Sequence, residues 1–252
     1  MKALQPLRRW GKQLRWSVSF IAMQAARGLF RLHTHRFHRL IYALIIANMA
    51  SVTLFCLRLI GAENFRYWFM LWNLILAWIA PLLAWYLTRR LLTGRWRHWS
   101  NIVLTVLWLG FLPNSFYMVS DLIHVQQTGE VSIIFDAVLF TSFIFNGFVA
   151  GFLGAIMVHR ELLRRLSSMK SYTVMAGAFF LSSYAIYLGR ILRWNTWDAI
   201  LHPSGLIFDV SDTILRPLEH PQAFVVTLSF TLLISSFYFV AWELYRAFIR
   251  KT

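Results

Sequence analysis

The sequence predicts an all-α membrane protein: a bundle of about six transmembrane helices, with a basic amphipathic interfacial helix ahead of it and a short outer surface helix. Three observations predict this class. Apolar runs lie near residues 40–60, 67–88, 100–120, 133–157, 173–192 and 223–244, each close to the roughly 20 residues that cross a bilayer. Of the 252 residues, 58% are hydrophobic and 14% charged, against about 25% charged in a typical soluble domain. A globule of this size in water would lack the polar residues to cover itself. The third observation is the placement of charge. Of 25 Lys and Arg residues, 20 fall before the first run, in RRLLTGRWRH, in HRELLRRLSSMK or after the last run, and five (Arg58, Arg66, Arg190, Arg193 and Arg216) fall on the alternate connections. The positive-inside rule then places both termini in the cytoplasm. The net charge of +15 thus reflects topology and contact with anionic headgroups at the cytoplasmic face, and it excludes a nucleic-acid partner. The expected location is a membrane crossed several times, with the basic loops on its cytoplasmic side.

Residues 1–38 are expected to form a cytoplasmic segment and residues 39–252 the six-helix domain. In the first segment Leu7, Trp10, Leu14, Val18, Ile21, Ala25, Leu29 and Leu32 follow steps of three and four, with Arg8, Lys12, Arg15, Arg27 and Arg31 off that stripe. Such a helix lies in the headgroup layer. A cleaved signal peptide is the rival, but Arg27 cuts the apolar run short and no small-residue cleavage pattern follows. His33, His35 and His38 read as a solvated linker. Cys56, the single cysteine, excludes an intrachain disulfide and reads as a packing residue.

The third run, LWLGFLPNSFYMVSDLIHV (107–125), carries the least expected chemistry. Pro113 removes a backbone donor and leaves the carbonyl of Leu109 without its usual partner, so a kink is expected, with Asn114 able to meet the exposed backbone. Asn114, Tyr117, Asp121 and His124 then follow steps of three, four and three, which sets them on one face. The fourth run places Asp136, Phe143, Gly147, Gly151 and Gly154 on one face, and its GFVAG is a small-xxx-small pattern that permits close helix approach. The fifth ends in YLGRILRWNTWD, with Tyr187, Arg190, Trp194, Trp197 and Asp198 on a stripe and Arg193 and Asn195 beside it. Ionisable groups within a membrane mark functional sites by default. The expectation is one outer-face pocket between the third, fourth and fifth spans, built from Asn114, Tyr117, Asp121, Asp136, Arg190 and Asp198. Farther on, GLIFDVSDTIL sets apolar Leu206, Ile207, Val210 and Ile214 opposite Asp209 and Asp212, the pattern of a short surface helix.

The segments PNSFYMVSDLIH, the Phe-Asp that opens the fourth run and GRILRWNTWD resemble the signature segments of domain-of-unknown-function family 1361, a group of bacterial polytopic membrane proteins. The resemblance covers roughly residues 40–245, with Ser120 and Thr196 where Thr and Ser are usual in the family. It implies about six membrane helices in a bacterial cytoplasmic (inner) membrane, and no particular activity, cofactor or catalytic residue.

Three functions fit these residues. In an enzyme, Asp121, His124, Tyr117, Asn114, Asp136 and Asp198 supply the catalytic groups, with Asp121 and His124 as base and orienting partner. Arg190, Arg193, Trp194, Asn195 and Trp197 hold the substrate, a lipid-linked or envelope molecule. A divalent metal as cofactor has only weak candidate ligands in Asp121, His124, Asp136, Asp198 and His202. A transporter or channel would need polar groups toward the midplane, where Asn48, Asn73, Pro81 and Asn146 are scattered. An accessory membrane protein would use the cluster only to fix helix packing. No Gly-rich phosphate loop, H-E-x-x-H or G-x-S-x-G is present.

Overall fold

A computed structural model describes residues 41–127, 129–195 and 197–250. The expected N-terminal helix and the boundary at residues 38 and 39 lie outside these. Among the described residues there is no strand, and six helices are long and apolar enough to cross a membrane. They are α1 (Ile41–Ala62), α2 (Phe69–Leu91), α3 (Trp99–Tyr117, prolonged by a 3₁₀ segment Met118–His124), α4 (Ile133–Leu163), α5 (Ser168–Arg190) and α8 (Pro221–Arg250). Between α5 and α8 lie a single turn, α6 (Asp198–Leu201), and the expected short helix, α7 (Pro203–Leu215). The protein is therefore an all-α membrane bundle.

The chain divides into two units between Met49 and Ala50, inside α1. In the first, residues 41–49 are helical, and Asn48 donates its side-chain amide to the carbonyl of Leu44 at 2.7 Å. Everything below concerns the second unit.

Two apolar clusters hold that unit. The larger joins α2, α3, α4, α5 and α8 through residues such as Leu87, Leu112, Phe116, Phe152, Phe179 and Tyr238. The smaller gathers Phe55, Tyr67, Met70, Phe140 and Phe143. The outward faces are equally apolar, with Ile75, Val106, Phe145, Leu181 and Leu232 exposed. A helix apolar on its buried and exposed sides alike belongs in hydrocarbon. Cys56 is on such an exposed side, so it is not the packing residue its size suggested.

Close packing follows from two sequence features. A Cβ on Gly151 would stand 2.8 Å from side-chain atoms of Ser115 and Phe116, so the glycine lets α4 approach α3 as the small-xxx-small pattern anticipates. Pro81 in α2 has no N–H for the carbonyl of Ala77; Ser115 of α3 donates to that carbonyl instead, at 3.0 Å. A neighbouring hydroxyl thus satisfies a backbone group that lipid would leave unpaired. Pro113 does not interrupt α3, which continues to Tyr117. Asn114 reaches back to the backbone, donating to the carbonyl of Phe111 at 3.3 Å.

Several helices are longer than their apolar runs, α4 and α5 among them. α4 continues through HRELL to Leu163, where Glu161 meets Arg164 at 2.8 Å and Arg165 at 3.5 Å, spacings that support a helix end. α5 begins at Ser168, before its apolar residues. The helix directions alternate, so the start of α2, the end of α3, the start of α4 and the end of α5 meet at one end of the bundle. The arginine-rich α2–α3 and α4–α5 connections meet at the other, where Arg165 donates to the carbonyl of Leu91 at 2.6 Å.

Candidate functional site

The site end of the bundle contains a cavity of about 420 Å³ between α2, α3, α5 and the chain that follows α5. Its polar walls are Asn73, Asn114, Tyr117, Asp121, His124, Arg190 and Asn195, and Trp72, Trp194 and Trp197 supply aromatic faces. The change of helix type helps to build it. From Met118 the chain tightens into a 3₁₀ segment, in which side chains three apart eclipse. Asp121 and His124 are three apart, and both reach the cavity.

Arg190, the last residue of α5, is the hub. Its Nη2 donates to Asp121 Oδ1 and, at 2.7 Å, to Ser120 Oγ, which also receives Nε at 2.9 Å. Its Nη1 stands 3.4 Å from His124 Nε2, and its guanidinium lies 4.6 Å from the centre of the Tyr117 ring. An arginine only donates, so a neutral His124 in this contact carries its proton on Nδ1. Ser120 is turned for the task, because its own hydroxyl donates to the carbonyl of Tyr117 at 2.6 Å. The second oxygen of Asp121 accepts from Asn73 of α2 at 2.9 Å. The Asp121 side chain is 2% exposed, with each oxygen held by a donor, whereas the Arg190 side chain is 17% exposed and lines the cavity. Asp121 and His124 are therefore linked through Arg190 rather than as a simple base and orienting pair.

The segment after α5 closes the cavity. Arg193 has a left-handed backbone (φ 62°), a conformation that non-glycine residues seldom adopt. The chain folds back there, and the N–H of Trp194 donates to the carbonyl of Leu188 at 3.1 Å. Trp194 Nε1 then donates to Asp209 of α7 at 2.8 Å, tying the short helix to the wall. The side chain of Arg193 is exposed and does not line the cavity.

Two of the three expected aspartates are elsewhere. Asp198 Oδ2 accepts from the N–H of Asn195 at 2.6 Å, a turn-capping role, and this backbone bond holds its carboxyl below the usual range. His202 Nδ1 lies 3.5 Å from the other oxygen of Asp198. Asp136 is fully buried in a second polar cluster. It accepts from Arg58 Nε at 3.2 Å and from Tyr67 OH at 3.3 Å. Arg58 also donates to Asn64 and Glu130, both at 3.1 Å. Asp136 thus meets Arg58 of α1 and Tyr67 ahead of α2, and the cavity is walled by α2 where α4 was expected. The candidate metal ligands Asp121, His124, Asp136 and His202 consequently do not converge. Among the described residues no group of three His, Cys, Asp or Glu side chains is placed to share an ion.

Trp72, Ser120 and Arg58 were not singled out as site residues from sequence, and Asn73 was named only among the scattered polar groups of the transporter reading. Asn73 left a signal: an amide one turn inside an apolar span, at the end where Asp121 lies.

Six helices long and apolar enough to cross a membrane, with a polar cavity among α2, α3 and α5, define a multi-pass α-helical membrane protein. The chain belongs to the family described as "Protein of unknown function (DUF1361)", whose family model matches residues 72–237. That match takes in the cavity walls from Trp72 onward and leaves α1 outside, a shorter region than the resemblance of residues 40–245. No curated protein and no solved structure matches the chain.

Proposed function

We propose that the cavity binds, or acts upon, the polar headgroup of a lipid-linked or envelope molecule at the outer face of the bacterial inner membrane. The observation that carries this reading is Arg190: a guanidinium fixed by Asp121 and Ser120 yet still presented to a 420 Å³ cavity. That volume is within the roughly 300–1,000 Å³ of small-molecule sites. The Asp121–Arg190 pair is neutral overall, which suits hydroxyl and amide groups of a ligand better than a bare phosphate. Three amides (Asn73, Asn114, Asn195) supply donors and acceptors, and the indoles of Trp72, Trp194 and Trp197 supply apolar faces. His124 is the exposed ionisable group at the wall and the candidate acid or base if chemistry occurs.

A purely structural network is the second reading, favoured by the saturation of both Asp121 oxygens. Native mass spectrometry of the full chain in a lipid extract of its host separates the two. The binding reading expects a discrete retained species that disappears in Asn114→Ala and Trp197→Ala at unchanged thermal stability. An identical set of species in wild type and both variants sinks it.

The orientation is part of the same proposal. Both termini are cytoplasmic and the cavity faces outward, supported by the distribution of Lys and Arg. Cysteines introduced at Gln127 and Pro217 should label from outside intact cells, and those at Gly94 and Ser168 should not. Labelling of Ser168→Cys from outside overturns it.

A further inference from the structure

The opposite end of the bundle carries an independent feature. The corner between α2 and α3 contains a hollow of about 490 Å³ lined by Arg90, Arg95, Arg97, His98, Thr93, Gly94 and Asn101. We propose that this corner is a binding site for the phosphate headgroup of an anionic phospholipid, with Arg90, Arg95 and Arg97 as its cations.

Three observations converge. The first is charge without compensation. All ten carboxylate side chains lie among the described residues, and the two at this end are engaged by arginines three or four residues further along the chain: Glu161 with Arg164 and Arg165, and Glu243 with Arg246. Among the described residues none forms an ion pair with Arg90, Arg95 or Arg97. Three guanidinium groups lining one hollow repel each other unless an anion joins them.

The second is that the hollow is built. Arg90 is aimed by neutral groups only: its Nε donates to Asn101 Oδ1 at 3.1 Å and its Nη2 to Ser100 Oγ at 2.9 Å. Asn101 is 2% exposed and donates to the carbonyl of Arg95 at 3.0 Å, which fixes the turn. Trp96 anchors the same turn by donating to Thr105 at 3.0 Å. A preorganised guanidinium suits the planar, paired geometry of phosphate oxygens. The start of α3 at the hollow adds the positive end of a helix dipole.

The third identifies lipid as the source of the phosphate. Trp99, Ile102, Val103 and Val106 are exposed and continue from the hollow along α3 toward mid-membrane. An acyl chain has a surface to follow there, which a free phosphate would leave unused. Basic pockets at the ends of membrane helices bind anionic headgroups by this combination.

The full chain in detergent, titrated with phosphatidylglycerol, phosphatidylcholine or inorganic phosphate, tests the proposal by native mass spectrometry. Each cation near a headgroup contributes roughly fivefold in affinity. Arg95→Gln with Arg97→Gln should therefore weaken phosphatidylglycerol binding by about 25-fold. Arg160→Gln with Lys170→Gln, which removes the same charge from the same end away from the hollow, should change it less than about twofold. Equal losses in the two double variants, or no loss in the first, overturn the proposal. So does binding of phosphatidylcholine as tight as that of phosphatidylglycerol, or displacement of the lipid by millimolar inorganic phosphate. If the first variant fails to fold, a photoactivatable phenylalanine analogue at Thr93 gives a second readout. Crosslinking to phosphatidylglycerol in mixed vesicles supports the site, and crosslinking to phosphatidylcholine alone, or to neither, overturns it.

Discussion

Arg58 and Arg190 stand at the same end of the bundle in matching surroundings. Each bonds an aspartate of a spanning helix, and each lies over a tyrosine ring, 4.5 Å from Tyr67 and 4.6 Å from Tyr117. An asparagine completes each cluster, Asn64 on Arg58 and Asn73 on Asp121. The clusters even touch, since Tyr67 OH lies 3.2 Å from the carbonyl of His124. Their difference is access. Arg58 is 2% exposed, and Asp136, Asn64 and Glu130 occupy its three nitrogens, whereas Arg190 keeps a face on the cavity. The same residue types thus close one site and leave the other able to meet a ligand. Charge and hydrogen-bond inventory alone do not separate a structural pair from a binding one; the unfilled space beside the pair does.

The largest effect should come from the closed cluster. Arg58→Gln leaves Asp136 buried without its cation, and breaking such a pair costs about 3–5 kcal/mol. Thermal unfolding in detergent should show a severe loss of stability. A mild loss would mean that the cluster is wetter than its burial implies.

Arg190→Gln should cost less, about 1–3 kcal/mol, because Asn73 remains on Asp121 and the cavity admits water to the rest. It should nevertheless eliminate the retained ligand. Asp121→Asn with His124→Ala, made at wild-type protein levels in a host with a deletion phenotype, should likewise abolish function. Full complementation by that pair would place Arg190 in the same structural class as Arg58.

The two tyrosines sharpen the contrast further. Tyr67→Phe removes the hydroxyl held by Asp136 and the His124 carbonyl and should cost about 1 kcal/mol. The Tyr117 hydroxyl makes only a 3.4 Å contact with the carbonyl of Gly189, so Tyr117→Phe should fall below about 0.5 kcal/mol. Equal unfolding midpoints for the two variants would dissolve the distinction.

The smallest effect concerns Glu130 at the rim of the closed cluster. Asn64 first, then Arg58, hold its carboxyl below the ordinary value, about 4.3. A depressed folded pKa contributes stability that is present above the unfolded value and is lost as pH falls through the folded one. Wild-type unfolding midpoints should therefore decline below about pH 4.3, and Glu130→Gln should flatten the decline in that window only. An unchanged acid limb would show that Glu130 contributes nothing to closure.

By itself the sequence determined whatever depends on length, composition and local period. Six spans follow from runs long enough to cross a bilayer. Asn114, Tyr117, Asp121 and His124 were expected on one face because steps of three and four bring side chains together in an α-helix, and the step of three from Asp121 to His124 keeps that pair together where the turn becomes 3₁₀. Gly151 announced a close approach because only a missing Cβ permits one. Which polar groups meet was decided by tertiary structure. Asp121, Asp136 and Asp198 look alike along the chain, at similar depth and near a span end, yet one joins Arg190, one Arg58 and one a backbone N–H. Helical period fixes a residue's direction about its own axis. It does not fix which neighbour occupies that direction, and this depends on how the helices pack and on where the chain after Arg193 turns back. Asn73 and Ser120 entered the site for the same reason: only the packed helices bring an amide of α2 and a hydroxyl of α3 to the two sides of one buried charge pair.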